Sequence, residues 1–229
     1  GRGTALAQMT QTPANAADLI LAPIAMTMGE TAGIGVEIAI KAWSRRAIYD
    51  LPPFYLIADP EHVRATVSLL AKVNMDKKAG AVTVVEIAAP ADAVACFEQA
   101  LPVFPQALAR KPQPGQLDKA NAPAAVAAIE TAMEHIRTGA ASGMVTNPIQ
   151  KSVLYDIGFA YPGHTEFLAA LCGDGHVPVM MLSCPGLKTV PVTIHTSLTD
   201  AVASLTTELI VEQAMITAAA LNRDLGYSP

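Results

Sequence analysis

The sequence predicts an α/β protein with a largely parallel sheet covered by helices on both faces. Two observations lead there. Apolar runs of strand length recur at 19–27, 54–58 and 82–87 without the polar alternation of a half-exposed strand. Helical patterns with their own start signals lie between them, so strands and helices alternate in the order that parallel pairing requires.

The first run, broken by Pro23, empties into a turn holding Gly29, Gly33 and Gly35, and a helical pattern follows over 36–47. Pro52 and Pro53 punctuate the chain before the strand at 54–58, and Asp59-Pro60 opens a helix to about Asn74. Periodicity weakens over 88–118, where Pro90, Pro102, Pro105, Pro112 and Pro114 predict a long irregular crossing. A domain junction is expected there, dividing a first α/β domain, 19–115, from a second α/β region, 116–229. Asn121 and Pro123 start an alanine-rich helix to Arg137, stopped by Gly139. A short strand at 142–146 leads into Asn147-Pro148 and a helix to Ile157. Runs at 177–183 and 188–194, joined around Cys184-Pro185-Gly186, suit a hairpin. The last helix spans 206–225 with Gly226 as its stop. Because a βα rhythm would continue with another strand, the chain is expected to lack a C-terminal part. Residues 1–18, polar and rich in small side chains, are expected to be a flexible leader.

Composition narrows the function classes. With 229 residues, 52% of them hydrophobic, the chain can bury a substantial core. Its formal charge of −5 and lack of a basic run argue against nucleic acid. The apolar run at 19–28 is too short to span a bilayer, so no membrane is expected. Cys96, Cys172 and Cys184 are widely spaced, odd in number and set among apolar residues, which fits a reducing cytoplasm better than a disulfide framework.

Chemistry is expected at loops beyond strand ends, where open α/β sheets hold their ligands. In Tyr161-Pro-Gly-His-Thr-Glu-Phe167 a Pro-Gly turn precedes His164 and Thr165, placing them at or just before a helix N-terminus whose free N–H groups suit an anion. The same pattern also suits a plain cap, with Thr165 capping and His164 a surface turn residue. His195, expected at a strand end, could ligate a cation or hold a substrate oxygen. His62, His135 and His176 read as solvated. Asn147 and Lys151 could reach an anion, or could simply start a helix. The glycine-rich turn is neither G-x-G-x-x-G nor a P-loop, though its backbone could approach a ligand closely.

Taken in order, T-M-G-E-T-A-G-I-G (27–35), T-N-P-I-Q-K (146–151), G-F-A-Y-P-G-H-T-E-F (158–167), P-V-M-M-L (178–182) and V-P-V-T-I-H (190–195) closely resemble the 4-hydroxythreonine-4-phosphate dehydrogenase family of pyridoxal phosphate biosynthesis. Thr31 and Val36 depart from it, since proline is usual at both; neither change removes a functional group.

The resemblance implies a two-domain α/β/α fold like that of isocitrate and isopropylmalate dehydrogenases, and a homodimer with active sites at the subunit interface. It implies NAD and a divalent cation (Zn, Mg or Co) as cofactors, and oxidation and decarboxylation of 4-phosphooxy-L-threonine. On this match His164 and Thr165 are the substrate-binding pair and His195 is the first of three metal-binding histidines. The other two belong to segments of the type N-P-H-A-G-E and Y-H-D-Q-G, which this sequence does not contain. The 229-residue chain alone is therefore expected to be inactive. Alternatives are a dehydrogenase of threonate or erythronate 4-phosphate, a non-catalytic binding module and, by fold analogy alone, an acyl-phosphate transferase.

Overall fold

The computed structural model describes residues 22–73, 78–161, 163–173 and 176–227. The expected leader, and residues 19–21 of the expected first strand, lie outside them. The described residues form two compact units that divide between Leu171 and Cys172. The junction expected near residue 115 falls inside the first unit.

That first unit is built on a five-stranded parallel sheet in the order β3-β4-β2-β1-β5. Its strands are β1 (Ile24–Thr27), β2 (Phe54–Ala58), β3 (Val84–Glu86), β4 (Leu101–Pro105) and β5 (Gly143–Val145). Between β1 and β2 run α1 (Gly35–Ser44) and the single turn α2 (Arg46–Tyr49). Helix α3 (Pro60–Lys72) follows β2 and starts where expected: the backbone N–H of His62 donates to Asp59 Oδ1 at 3.0 Å, and Pro60 occupies the first turn. The short α4 (Asp92–Cys96) precedes β4, and α5 (Ala122–Arg137) lies between β4 and β5.

Both faces of the sheet are covered, as neighbouring residues of β2 show. Side chains alternate along a strand. Phe54 meets Phe97 edge-on at 5.1 Å, and the buried indole N–H of Trp43, from α1, donates to the Phe97 carbonyl at 2.8 Å. Tyr55 points the other way, to α5, where its hydroxyl lies 2.7 Å from His135 Nδ1. Every residue of β2 is buried, which accounts for its unbroken apolar sequence.

Strand β4 corrects the expectation of an irregular crossing over 88–118. Prolines are rare in an inner strand because they cannot donate to the ladder, yet β4 holds two. In a parallel strand successive N–H groups face opposite neighbours. The Leu101 N–H donates to the Thr83 carbonyl on the β3 side at 2.8 Å, and the Gln106 N–H donates to the Ala58 carbonyl on the β2 side at 3.0 Å. Pro102 therefore faces β2, whose pairing begins only at Val103, and Pro105 faces β3, whose pairing has ended by Val103. Each proline stands one step outside the ladder it would interrupt.

The second unit contains an antiparallel pair, β6 (Leu182–Cys184) with β7 (Leu187–Thr189). Pro185 and Gly186, the latter at φ 81°, make the connecting turn. The expected hairpin is present, but shorter: residues 177–181 and 190–194 are not strand. Helix α8 (Leu198–Ser204), absent from the sequence-based expectation, is capped by Ser197, whose hydroxyl accepts from the Asp200 N–H. Helix α9 (Thr207–Leu225) ends as expected, with Gly226 left-handed at φ 67° and the Tyr227 N–H donating to the Leu221 carbonyl at 3.1 Å. Cys96 is half-buried, while Cys172 and Cys184 are exposed rather than set in apolar surroundings; all three are free. Among the described residues no helix is long and apolar enough to cross a membrane.

His135 is not the solvated residue that its helical position suggested. It is half-buried, edge-on to Phe104 at 4.9 Å and bonded to Tyr55. Tyr55→Phe should remove that bond and leave the imidazole nitrogen without its partner, lowering the stability measured by urea denaturation by about 1–3 kcal/mol. A change of a few tenths would mean that the pair does not hold α5 to the sheet.

Candidate functional site

The carboxyl ends of the adjacent strands β1 and β5 are tied together by a polar residue in the interior. Asn147 is buried; its side-chain amide donates to the Thr27 carbonyl at 2.8 Å and its backbone N–H to Thr27 Oγ1 at 3.3 Å. The Glu30 N–H donates to the Pro148 carbonyl at 2.8 Å. The glycines of the first turn permit this approach. A Cβ on Gly29, at φ 71°, would lie 2.5 Å from the Pro148 carbonyl oxygen, and one on Gly35 would collide with the Met28 carbonyl. Both the turn and Asn147 were candidates for ligand contact; the structure gives both to packing.

From this junction the chain enters α6 (Lys151–Asp156), whose Val153 and Leu154 pack against Ala122 and anchor the helix. Gly158, at φ 84°, turns the chain back. Phe159, Tyr161 and Phe167 then form a three-ring cluster with centroids 4.9 to 5.3 Å apart. Phe167 is buried, so the cluster fixes the first turn of α7 (His164–Cys172) against the segment that precedes it.

His164 is the first residue of α7 and Thr165 the second, as the Pro-Gly turn predicted. The Phe167 N–H donates to the Gly163 carbonyl at 3.3 Å, so the helix opens at Gly163 and Thr165 is not its cap. Both side chains are half-buried. The Nε2 atom of His164 is fully buried and has no hydrogen-bond partner among the described residues. Leaving such a nitrogen unpaired costs about 1–3 kcal/mol, which a ligand hydrogen bond would recover.

Burial and a neighbouring cation both favour the neutral form of this imidazole. Burial holds its pKa below the ordinary histidine value, and the nearby Lys151 ammonium pushes it the same way. Lys151 was one of the alternatives that the sequence left open. It opens α6, yet its Nζ lies 3.8 Å from where a Cβ on Gly163 would sit, and Glu166 Oε2 lies 3.4 Å from the same point.

His195 lies in the second unit, exposed and left-handed at φ 53°, six residues beyond the end of β7 rather than at a strand end. Among the described residues no group of three or more His, Cys, Asp or Glu side chains could hold a metal ion. The residues described do not by themselves make a metal site. A cleft of about 690 Å³ lies elsewhere, between α3 and residues 108–114; Asp59, His62, Lys72 and Lys111 are among its lining, and His164, Thr165 and His195 are not. His62 is half-buried, not solvated as expected. Burial lowers its pKa against the opposing pull of Asp59 and the Thr31 backbone. His176 is exposed, as expected.

A five-stranded parallel sheet flanked by helices, with loops gathered beyond the carboxyl ends of its strands, defines an α/β protein of the kind that holds its ligands at such loops. The family described as "Pyridoxal phosphate biosynthetic protein PdxA" matches residues 51–229, and the chain belongs to that family. A 4-hydroxythreonine-4-phosphate dehydrogenase of Bradyrhizobium diazoefficiens is 47% identical over 209 residues, which are 90% of this chain and 60% of that protein. The crystal structure of one from Klebsiella pneumoniae matches with a TM-score of 0.76 at 28% identity, covering 90% of this chain and 61% of the other. One from Burkholderia phymatum matches with a TM-score of 0.75 at 28% identity, covering 87% and 58%. The chain thus spans 58 to 61% of the length of these relatives.

His62, His135 and His164 all have pKa values below the ordinary one. Each protonates more readily in the unfolded chain, so its contribution is complete above about pH 6.5 and is lost as pH falls through the folded pKa. Urea midpoints should therefore fall from pH 7 to pH 5; a flat or rising profile would contradict the burial of these rings. Asn147→Ala should cost about 1–3 kcal/mol at pH 7 in the same assay, whatever ligand is present.

Proposed function

We propose that this chain is the substrate-binding portion of an NAD-dependent dehydrogenase acting on 4-hydroxythreonine 4-phosphate in pyridoxal phosphate biosynthesis. The single observation that supports it most is His164 of the family's His-Thr pair, at the head of α7 with a buried nitrogen that lacks a partner among the described residues. In this reading His164 and Thr165 hydrogen-bond the substrate and orient its C3 hydrogen, so their contribution is proximity. Neutrality suits His164 for that task, because one ring nitrogen can donate while the other accepts.

The complete protein would oxidise the C3 hydroxyl and release the carboxyl group as CO2. NAD, when bound, supplies the hydride acceptor, and a divalent cation (Zn, Mg or Co) supplies charge stabilisation at the substrate oxygen. His195 would contribute one metal ligand, with the others coming from the family's N-P-H-A-G-E and Y-H-D-Q-G segments. The isocitrate dehydrogenase-like two-domain arrangement, the homodimer and the cytoplasmic location belong to this same proposal.

Calorimetric titration of this chain with 4-hydroxythreonine 4-phosphate should show binding that weakens about tenfold or more in His164→Gln and Thr165→Ala, the loss of one hydrogen bond to a charged ligand. NADH formation by this chain with added cation should be slight or nil. Unchanged affinity in both variants would overturn the site. Tighter binding of threonate or erythronate 4-phosphate would move the substrate within the same class.

A further inference from the structure

We propose that Lys151 is a third substrate-binding residue, whose ammonium takes an anionic oxygen of the ligand held by His164 and Thr165. The inference rests on the substrate site proposed above and adds a residue that the family's His-Thr pair does not include. Four observations meet at this place.

Lys151 is exposed and makes no ion pair among the described residues. It is the first residue of its helix, an end where the dipole disfavours a cation, so its position gains nothing from α6 itself. Its Nζ approaches Gly163, the residue that opens the nine-residue helix α7, whose first-turn N–H groups also attract negative charge. The next residue is His164, whose Nε2 is buried and has no hydrogen-bond partner among the described residues, and whose pKa the Lys151 charge lowers further.

The imidazole nitrogen, without a partner among the described residues, can donate or accept according to its tautomer, and a lysine ammonium and a helix N-terminus supply positive potential here. Glu166 offsets part of it, but its carboxylate is also placed to favour the first turn of its own helix. An incoming phosphate or carboxylate would satisfy the rest. Gly163 keeps the approach open: its own hydrogen leaves the space between Lys151 and Glu166 free, where a Cβ would stand in van der Waals contact with both.

The test is calorimetric titration of this chain and its Lys151→Met, Lys151→Arg and His164→Gln variants, with circular dichroism confirming the fold. The probes are 4-hydroxythreonine 4-phosphate, inorganic phosphate and 4-hydroxythreonine. Lys151→Met should weaken 4-hydroxythreonine 4-phosphate binding by about 10- to 100-fold, the loss expected for one charge-assisted hydrogen bond, and Lys151→Arg should restore most of it. If the lysine holds the phosphate, the loss also appears with inorganic phosphate; if it holds the carboxylate, it appears with 4-hydroxythreonine instead. The His164 imidazole pKa, followed by NMR in the free protein, should rise in Lys151→Met, a change that a purely structural lysine elsewhere would not cause. Unchanged binding in Lys151→Met, alongside loss in His164→Gln, would overturn the role of Lys151 and leave the substrate site standing. Unchanged binding in both variants, or no binding by the wild-type chain, would overturn the two together.

Discussion

The amide of Asn147 is fixed between β5 and the Thr27 carbonyl, and the path of every later residue in the first unit starts from that bond. It lies in the interior, where a polar group without a partner is expensive. The strand ends that it joins cannot separate without exposing both the amide and the carbonyl. The glycine turn after β1 completes the junction by bringing the Glu30 N–H to the Pro148 carbonyl. The entry of α6 is thereby set, and with it the place of Lys151.

From that anchored helix the chain returns through Gly158 to the aromatic cluster of Phe159, Tyr161 and Phe167. The rings bury little area compared with the main core, but they act on the right lever: they decide where the first turn of α7 points. The first turn that carries His164 is therefore held by the ring cluster through Phe167, with Lys151 of the preceding helix approaching it at Gly163. Precise placement by rigid neighbours is what a substrate-orienting residue requires. The cost of the arrangement is local, a buried nitrogen without a partner among the described residues.

Much of the fold was legible where one physical cause dominated. The unbroken apolar run of β2 followed from burial on both faces, Asp59-Pro60 from capping, and Gly226 from the need for a left-handed stop. Strand β4 was hidden because the argument against proline in a strand assumes that its N–H is needed, and at Pro102 and Pro105 the ladder does not extend to it. Helix α8 is short and rests on Ser197, a single residue that could equally mark a turn. His135 looked solvated because its neighbours in sequence are polar, whereas its environment is set by Tyr55, 80 residues away. The placement of His164 and Thr165 at the head of α7 followed from the Pro-Gly sequence together with the apolar residues after it. What the sequence could not carry was the burial of Nε2 or the approach of Lys151 to Gly163, since both depend on how α6 and α7 pack.

The central claim is that the His164 imidazole is neutral and that its buried nitrogen awaits a ligand. Nitrogen NMR of the labelled imidazole tests it most directly, with spectra recorded at pH 7 as 4-hydroxythreonine 4-phosphate is added. A neutral ring in the free protein, with an Nε2 resonance that shifts on ligand addition, is the result this account predicts. A protonated ring at pH 7, or an Nε2 signal indifferent to saturating ligand, would contradict it.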